Sequence, residues 1–306
     1  MKRRLVPLVL LALAGCATSR PASLWPAYEA SFAHAKYIDL THAFAPGDPK
    51  WAGFGRLTVS AARAAIDVPG FIGKGEPFGY ARHGAGITAY QLPTDQVGTQ
   101  LDPPAHGNPL GATISDFPAT MAVRPLVVID LSAATRADPG YVASVADILA
   151  WERRHGRIPA GSVVMFRTDW SKRWSDPERF TRRPFPGISL DALKLLHIDR
   201  HILFHGHEPL DTDATDDFVA ERWLLGHDFA QAEGVTNLDQ VPEAGALISI
   251  GFARPEGGTG GLARFIAIAP PSWPYGTTIA AAPGAPLPRQ LAPLIRGPDG
   301  VLRPRH

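Results

Sequence analysis

The chain has 306 residues, with 30 Lys and Arg against 29 Asp and Glu, 45% hydrophobic residues, 30 Gly, 30 Pro and a single Cys. That length buries a core without disulfides or structural metals, and a formal net charge of +1 with scattered cations leaves no electrostatic footprint for nucleic acid. One Cys excludes an internal disulfide and any Cys-x-x-Cys zinc or redox pair.

At the start of the chain, Lys2, Arg3 and Arg4 precede an apolar run over 5–14, too short to cross a bilayer but of the length and flanking charge of a secretory signal. The run ends in Leu13-Ala14-Gly15-Cys16, which resembles the lipobox of bacterial lipoproteins, and Cys16 is the only cysteine. Residues 1–15 then read as a lipoprotein signal peptide and 16–35 as lipidated Cys16 with a small, polar tether. Acyl chains on Cys16 give stable anchoring. Ala17, rather than Asp, after the Cys suggests sorting to the periplasmic side of the outer membrane. Loss of the three leader cations leaves 27 cations against 29 acids, close to neutral.

Strand-like β-branched or aliphatic runs follow at 36–40, 56–59, 86–92, 126–131, 162–167, 201–204, 246–252 and 263–269. Helical periods are fewer. They fall at 142–154, with Val142, Val145, Ile148, Leu149 and Trp151 on one face, at 190–196 with Ser189 as N-cap, and at 217–232. Strands outnumber helices and no strict βαβ alternation runs through the chain, so the pattern predicts a single α/β domain with a mixed, barrel-like sheet. It spans 36–270. The Pro-rich extension 271–306 has no period and is expected to wrap the surface in extended form or to be partly mobile.

No Gly-x-Ser-x-Gly elbow is present for a serine hydrolase. Gly257-Gly258-Thr259-Gly260-Gly261 lacks the Lys-Ser/Thr of a phosphate loop and runs into a strand-like segment, so it reads as a hairpin loop. His205 and His207 would share one face of a strand, an arrangement in which two imidazoles can converge on one ion. The competing reading makes them partly buried polar residues beside a site. The densest polar cluster is Asp95-Gln96-Val97-Gly98-Thr99-Gln100-Leu101-Asp102-Pro103-Pro104-Ala105-His106, where Gln96, Gln100, Asp102 and His106 recur at even spacing and Gly98 and the Pro pair fix an irregular turn.

This segment resembles the signature His-x-Gly-Thr-His-x-Asp-x-Pro-x-His of the cyclase family, which includes bacterial kynurenine formamidases and isatin hydrolases. Further landmarks follow in the family's order: Tyr37-Ile38-Asp39-Leu40-Thr41-His42, the segment Gly161 to Trp170, Phe185-Pro186-Gly187-Ile188-Ser189, the segment Gly206 to Asp213, and Glu233-Gly234-Val235-Thr236-Asn237-Leu238. The resemblance implies a swivelling β/β/α domain, usually a homodimer or homotetramer, and a divalent metal. Carried over position by position, the implied metal ligands are Gln96, Gln100, Asp102, Glu221 and Glu233, with His106 as the acid/base. Three family histidines are thus two glutamines and one glutamate here.

Such an all-oxygen set suits Mn²⁺ first, with Mg²⁺, Ca²⁺ or Zn²⁺ as alternatives. The alternative local reading leaves Glu221 a solvated helix residue and the Gln pair merely hydrogen-bonded. Trp51, Phe54 and Trp170 are candidates for an aromatic wall around an aryl substrate, although aromatics at such positions also build cores. The expected activity is metal-dependent hydrolysis of a non-peptide C–N bond in a small aromatic or cyclic amide. The rival is a lipoprotein that keeps the fold and binds a small molecule without hydrolysing it.

Overall fold

The computed structural model describes residues 23–71, 73–279, 287 and 291–305. The expected signal peptide and Cys16 lie outside them. Among the described residues fourteen strands are laid down in chain order, most of them short: β1 (Lys36–Asp39), β2 (Thr58–Ala61), β3 (Thr88–Gln91), β4 (Gln100–Asp102), β5 (Val123–Asp130), β6 (Val142–Ala143), β7 (Val163–Arg167), β8 (Gly187–Ile188), β9 (Phe204–His207), β10 (Gln231–Glu233), β11 (Ala246–Phe252), β12 (Gly261–Ala269), β13 (Leu294–Arg296) and β14 (Leu302–Pro304).

Eight of them form one mixed sheet in the order β1-β12-β11-β5-β7-β9-β10-β4, and β4 also pairs with β12. The ring therefore closes through seven strands, with β1 added outside it. The β5–β7, β7–β9 and β9–β10 pairings are parallel and the remainder antiparallel, which bears out the mixed, barrel-like sheet.

Period-two alternation sorts the strands' side chains. Leu126, Val128, Val163, Met165, Phe204, Ile248 and Phe265 fill the barrel with Leu101 and Ala232. Val127, Ile129, Val164 and Phe166 face outward, where the helices Val145–His155 and Leu190–Lys194 cover them with Ile148, Trp151, Ala192 and Leu193. Phe166, Phe204 and Phe265 are fully buried, and each such side chain contributes about 1.5–3 kcal/mol on removal from water. The helix read over 142–154 starts only at Val145, because Ser144 caps it there and Val142–Ala143 form β6, whereas the helix after Ser189 carries the cap expected of it. Ser144 and Asp147 form a reciprocal capping box, and the Ser189 hydroxyl accepts from the Ala192 N–H at 3.3 Å.

Two further expectations are corrected. The segment read as one helix over 217–232 is a helix only at Val219–Gly226; Asp228 then takes a left-handed φ of 63°, and the chain continues as β10. The strand expected at 201–204 begins at Phe204 and runs to His207. Within the expected tether, residues 25–32 wind into short helical turns, and the Tyr37 hydroxyl donates to the Phe32 carbonyl at 2.9 Å. In the extension, β13 and β14 form a hairpin tied to the small β2–β3 sheet through Arg296, which donates to Thr88 Oγ1 at 3.2 Å. The glycine-rich stretch 257–261 does join the antiparallel pair β11 and β12 as a hairpin loop.

Candidate metal centre and active site

Four polar side chains of the site follow from one cross-strand alternation. β4 and β10 run antiparallel with Gln100 opposite Glu233, Leu101 opposite Ala232, and Asp102 opposite Gln231. Leu101 and Ala232 point into the barrel, so their neighbours point out. There Gln100 Nε2 donates to Glu233 Oε2 at 2.9 Å, and Gln231 Nε2 donates to Glu233 Oε1 at 2.9 Å and to Asp102 Oδ2 at 3.3 Å. β9 alternates in the same sense and sends His205 and His207 to this outer face. Both imidazoles close on the Thr212 hydroxyl, at 3.1 and 2.9 Å, and Thr212 donates onward to Gln231 Oε1 at 2.7 Å. The two histidines buttress Gln231 rather than converge on an ion.

Glu221 arrives from the other side. The helix Val219–Gly226 is held at its start by Asp213, whose two oxygens accept the Ala220 and Glu221 N–H groups at 2.9 Å each. A carboxylate there satisfies orphan donors and the helix dipole together. His106 ends the single turn Pro104–His106. A Cβ on the next residue, Gly107, would lie 2.8 Å from Leu225 Cβ, so glycine lets this turn lie against the helix. His106 Nε2 consequently stands 3.8 Å from Glu221 Oε1.

These elements enclose a cavity of about 300 Å³ lined by Lys50, Trp51, Phe54, Gln96, Gln100, His106, Leu210, Asp211, Phe218, Glu221, Arg222, Leu225 and Glu233, among others. Trp51 and Phe54 stand where the aromatic wall was expected. Trp170 does not: it is 2% exposed, packs against Phe185, and donates its indole N–H to the Phe180 carbonyl at 2.9 Å. Its bulk is better buried in a core than spent on a cavity wall.

Asp211, Glu221 and Glu233 each offer an oxygen, and these oxygens lie within 4.8 Å of one another. Two like charges at such a separation repel by about 3 kcal/mol or more at an effective dielectric near 20. Burial first, and then the charge of neighbouring carboxylates, raises all four carboxyls: Asp102 to about 7 beside Asp95 and Asp211, Asp211 to about 7 beside Asp213 and Asp216, Glu221 to about 8 beside Asp211 and Asp102, and Glu233 well above its usual value beside Asp102, Glu221 and Asp211. Arg183 pairs with Asp211 and offsets part of this repulsion. Asp102 Oδ1 and Glu221 Oε2 are buried without hydrogen-bond partners. A compact, buried, all-oxygen set with unsatisfied acceptors fits a hard divalent cation.

Of the residues expected at the metal, Gln96, Gln100, Glu221 and Glu233 line the cavity, and Asp102 lies one layer behind it. Asp211 and Gln231 had not been singled out. Gln231 was hidden because its segment reads as helix; once 231–233 is a strand, it falls two residues before Glu233 and on the same face.

Residues 38–214, more than half of the chain, match the family described as "Putative cyclase". The chain belongs to that family. It is similar to the isatin hydrolase of Roseibium aggregatum, 33% identical over 192 residues that cover 58% of this chain and 72% of the relative. Among solved structures it resembles isatin hydrolase A from Ralstonia solanacearum, with a TM-score of 0.70, 30% identity, and coverage of 83% of this chain and all of that one. It also resembles isatin hydrolase A from Labrenzia aggregata bound to benzyl benzoate, with a TM-score of 0.69, 25% identity, and coverage of 81% and 100%.

Proposed function

We propose that the protein is a metal-dependent hydrolase that opens a non-peptide C–N bond in a small aromatic or cyclic amide. The observation that carries this reading is the meeting, on one cavity wall, of His106 with the buried trio Asp211, Glu221 and Glu233. The isatin hydrolase relatives support the bond type, and the benzyl benzoate in one of them is in keeping with an aryl-lined cavity. Asp211, Glu221 and Glu233 would hold the cation, with the carbonyl oxygens of Gln96 and Gln100 as neutral ligands. The hardness of these donors favours Mn²⁺ over Zn²⁺.

A divalent cation there supplies positive charge that polarises the scissile carbonyl and acidifies water. Trp51 and Phe54 hold the aryl group by apolar contact and ring stacking. His106 is the imidazole on the wall, placed where it can move a proton of the bond being broken or donate a hydrogen bond to developing charge.

The test is elemental analysis of the protein purified without chelator or affinity metal, followed by assays on isatin and formanilide. Stoichiometric divalent metal, absent from Glu221→Ala, together with hydrolysis of either compound, is the expected result. A folded protein that stays metal-free after incubation with Mn²⁺, Mg²⁺ and Zn²⁺ would sink this reading and leave the small-molecule binding protein in its place.

On sequence grounds the enzyme sits on the periplasmic side of the envelope, held by lipid on Cys16. The exposed Leu24 and Trp25, 84% and 81% accessible a few residues after that cysteine, are side chains suited to a bilayer interface. Cys16→Ser is expected to move the protein from the membrane to the soluble fraction; unchanged membrane association would refute the anchor.

A further inference from the structure

His106 has two ring nitrogens, and its surroundings specify what each one does. Gln96 Nε2 contacts His106 Nδ1 and, at 3.3 Å, the carbonyl oxygen of Thr259. A carbonyl can only accept, so the amide end that faces it is the nitrogen, which brings one N–H to Thr259 and the other to His106. The Thr259 carbonyl is itself held in place. Asp95 Oδ2 accepts the Thr259 and Gly260 N–H groups at 2.8 and 2.9 Å. A Cβ on Gly260 would fall 2.6 Å from Gln96 Cγ, so the hairpin loop lies against Gln96 only because that position is glycine. Gln96 cannot turn its oxygen to His106 without setting its nitrogen away from the one acceptor built beside it.

We propose that Gln96 is a positioning residue that holds neutral His106 as the Nε2–H tautomer, so that His106 meets the substrate as a hydrogen-bond donor rather than as a base. Nδ1 accepts from Gln96, and the single ring proton sits on Nε2, the nitrogen that stands 3.8 Å from Glu221. The donor then faces negative charge as it develops on the substrate, a role that fixed N–H groups perform without reorganisation. Gln96 keeps only its carbonyl oxygen for a cation. The tautomer itself does not depend on the proposed activity; only the use made of the Nε2 proton rests on it.

The test is long-range proton–nitrogen NMR of histidine-labelled protein, chelator-treated and again with Mg²⁺, at a pH where the ring is neutral. His106 is assigned as the signal lost in His106→Gln. The wild type should show a pyrrole-like Nε2 and a pyridine-like Nδ1. Gln96→Glu, whose carboxylate can only accept, should move the proton to Nδ1, and Gly260→Ala, which displaces Gln96, should give a mixture. A wild-type spectrum with Nδ1 protonated overturns the proposal whether or not any variant folds. So does the same tautomer in wild type and Gln96→Glu. Because the spectrum is read without turnover, a protein that hydrolyses nothing still decides it.

Discussion

His106→Ala is expected to lower turnover at least about a hundredfold while the fold persists, whether the lost group moved a proton or stabilised developing charge. The fold should survive because His106 is partly exposed at the cavity and its turn is held by other contacts. The Ala105 N–H donates to the Ala112 carbonyl at 3.0 Å, and Gly107 packs on Leu225. Burial lowers the imidazole pKa from its usual value, which favours the neutral form with a single ring proton.

A second substitution separates the two roles. Glutamine places a neutral N–H close to the position of the imidazole Nε2 but cannot act as a base. If His106 acts by donation, His106→Gln should retain about tenfold or more activity over His106→Ala, since a single such donor is worth at least that much. Equal, near-complete losses in both variants would return His106 to the role of base. An unchanged rate in His106→Ala would remove it from the reaction.

Divalent cations are expected to stabilise the protein strongly at about pH 8.5 and weakly at about pH 6, because only ionised carboxyls bind them. The sign follows from the folded and unfolded proton affinities. Asp102 and Asp211 are raised to about 7 and Glu221 to about 8 in the fold, against about 4 in the unfolded chain. Between those limits the folded chain binds more protons, so the chelator-treated protein loses stability as pH rises from about 4 to about 8.

A cation replaces the missing protons. At a hundredfold excess over its Kd it adds about 2.7 kcal/mol, a rise in Tm of about 5–10 °C for a chain of this size. The buried histidines act on the other side. Burial lowers His197 to about 3 and His207 to about 4, so their contribution is present above the unfolded histidine pKa and lost as pH falls toward those values. That loss is independent of the cation, which makes the difference between loaded and chelated protein the quantity to compare. Thermal unfolding with and without Mn²⁺ at the two pH values measures it. Equal shifts at both would contradict the carboxylate site, as would an undiminished shift in Glu233→Gln.

The sequence carried much of this molecule, and the failures share a physical origin. The helix after Ser189 was legible with its cap, because a side-chain acceptor beside an apolar period is a local signal, whereas the cap at Ser144 was passed over and that helix was read three residues too early. The long strands read at 246–252 and 263–269 were legible because alternation over seven residues is hard to mistake, although β12 begins two residues earlier at Gly261. The three-residue strands β4 and β10 were not. Three residues hold barely one period, and the pairing of Gln100 with Glu233 joins segments 133 positions apart. The apolar positions after Gly226 continue a helical spacing that the left-handed turn at Asp228 interrupts.

Trp170 failed for a different reason: composition gives an aromatic its bulk but not its direction. The even spacing of Gln96, Gln100, Asp102 and His106 was visible before any partner was known, because it needs only one extended segment. Asp211 was missed because its place beside Glu221 and Glu233 depends on how the chain turns after β9.

The strands that close the barrel are the ones that present the site, and this ties the two together in evolution. Side chains at 100 and 233 reach the cavity with those at 102 and 231 on the same face behind them, while those at 101 and 232 fill the barrel. Inserting or deleting one residue within either strand would exchange that strand's faces, turning its polar groups toward the core and its apolar one toward the site. Residue type at these positions is therefore free to drift, as a glutamine can take the place of a histidine, whereas residue count is not. A lineage on this fold can retune its donors one at a time without ever being able to shift them along the chain.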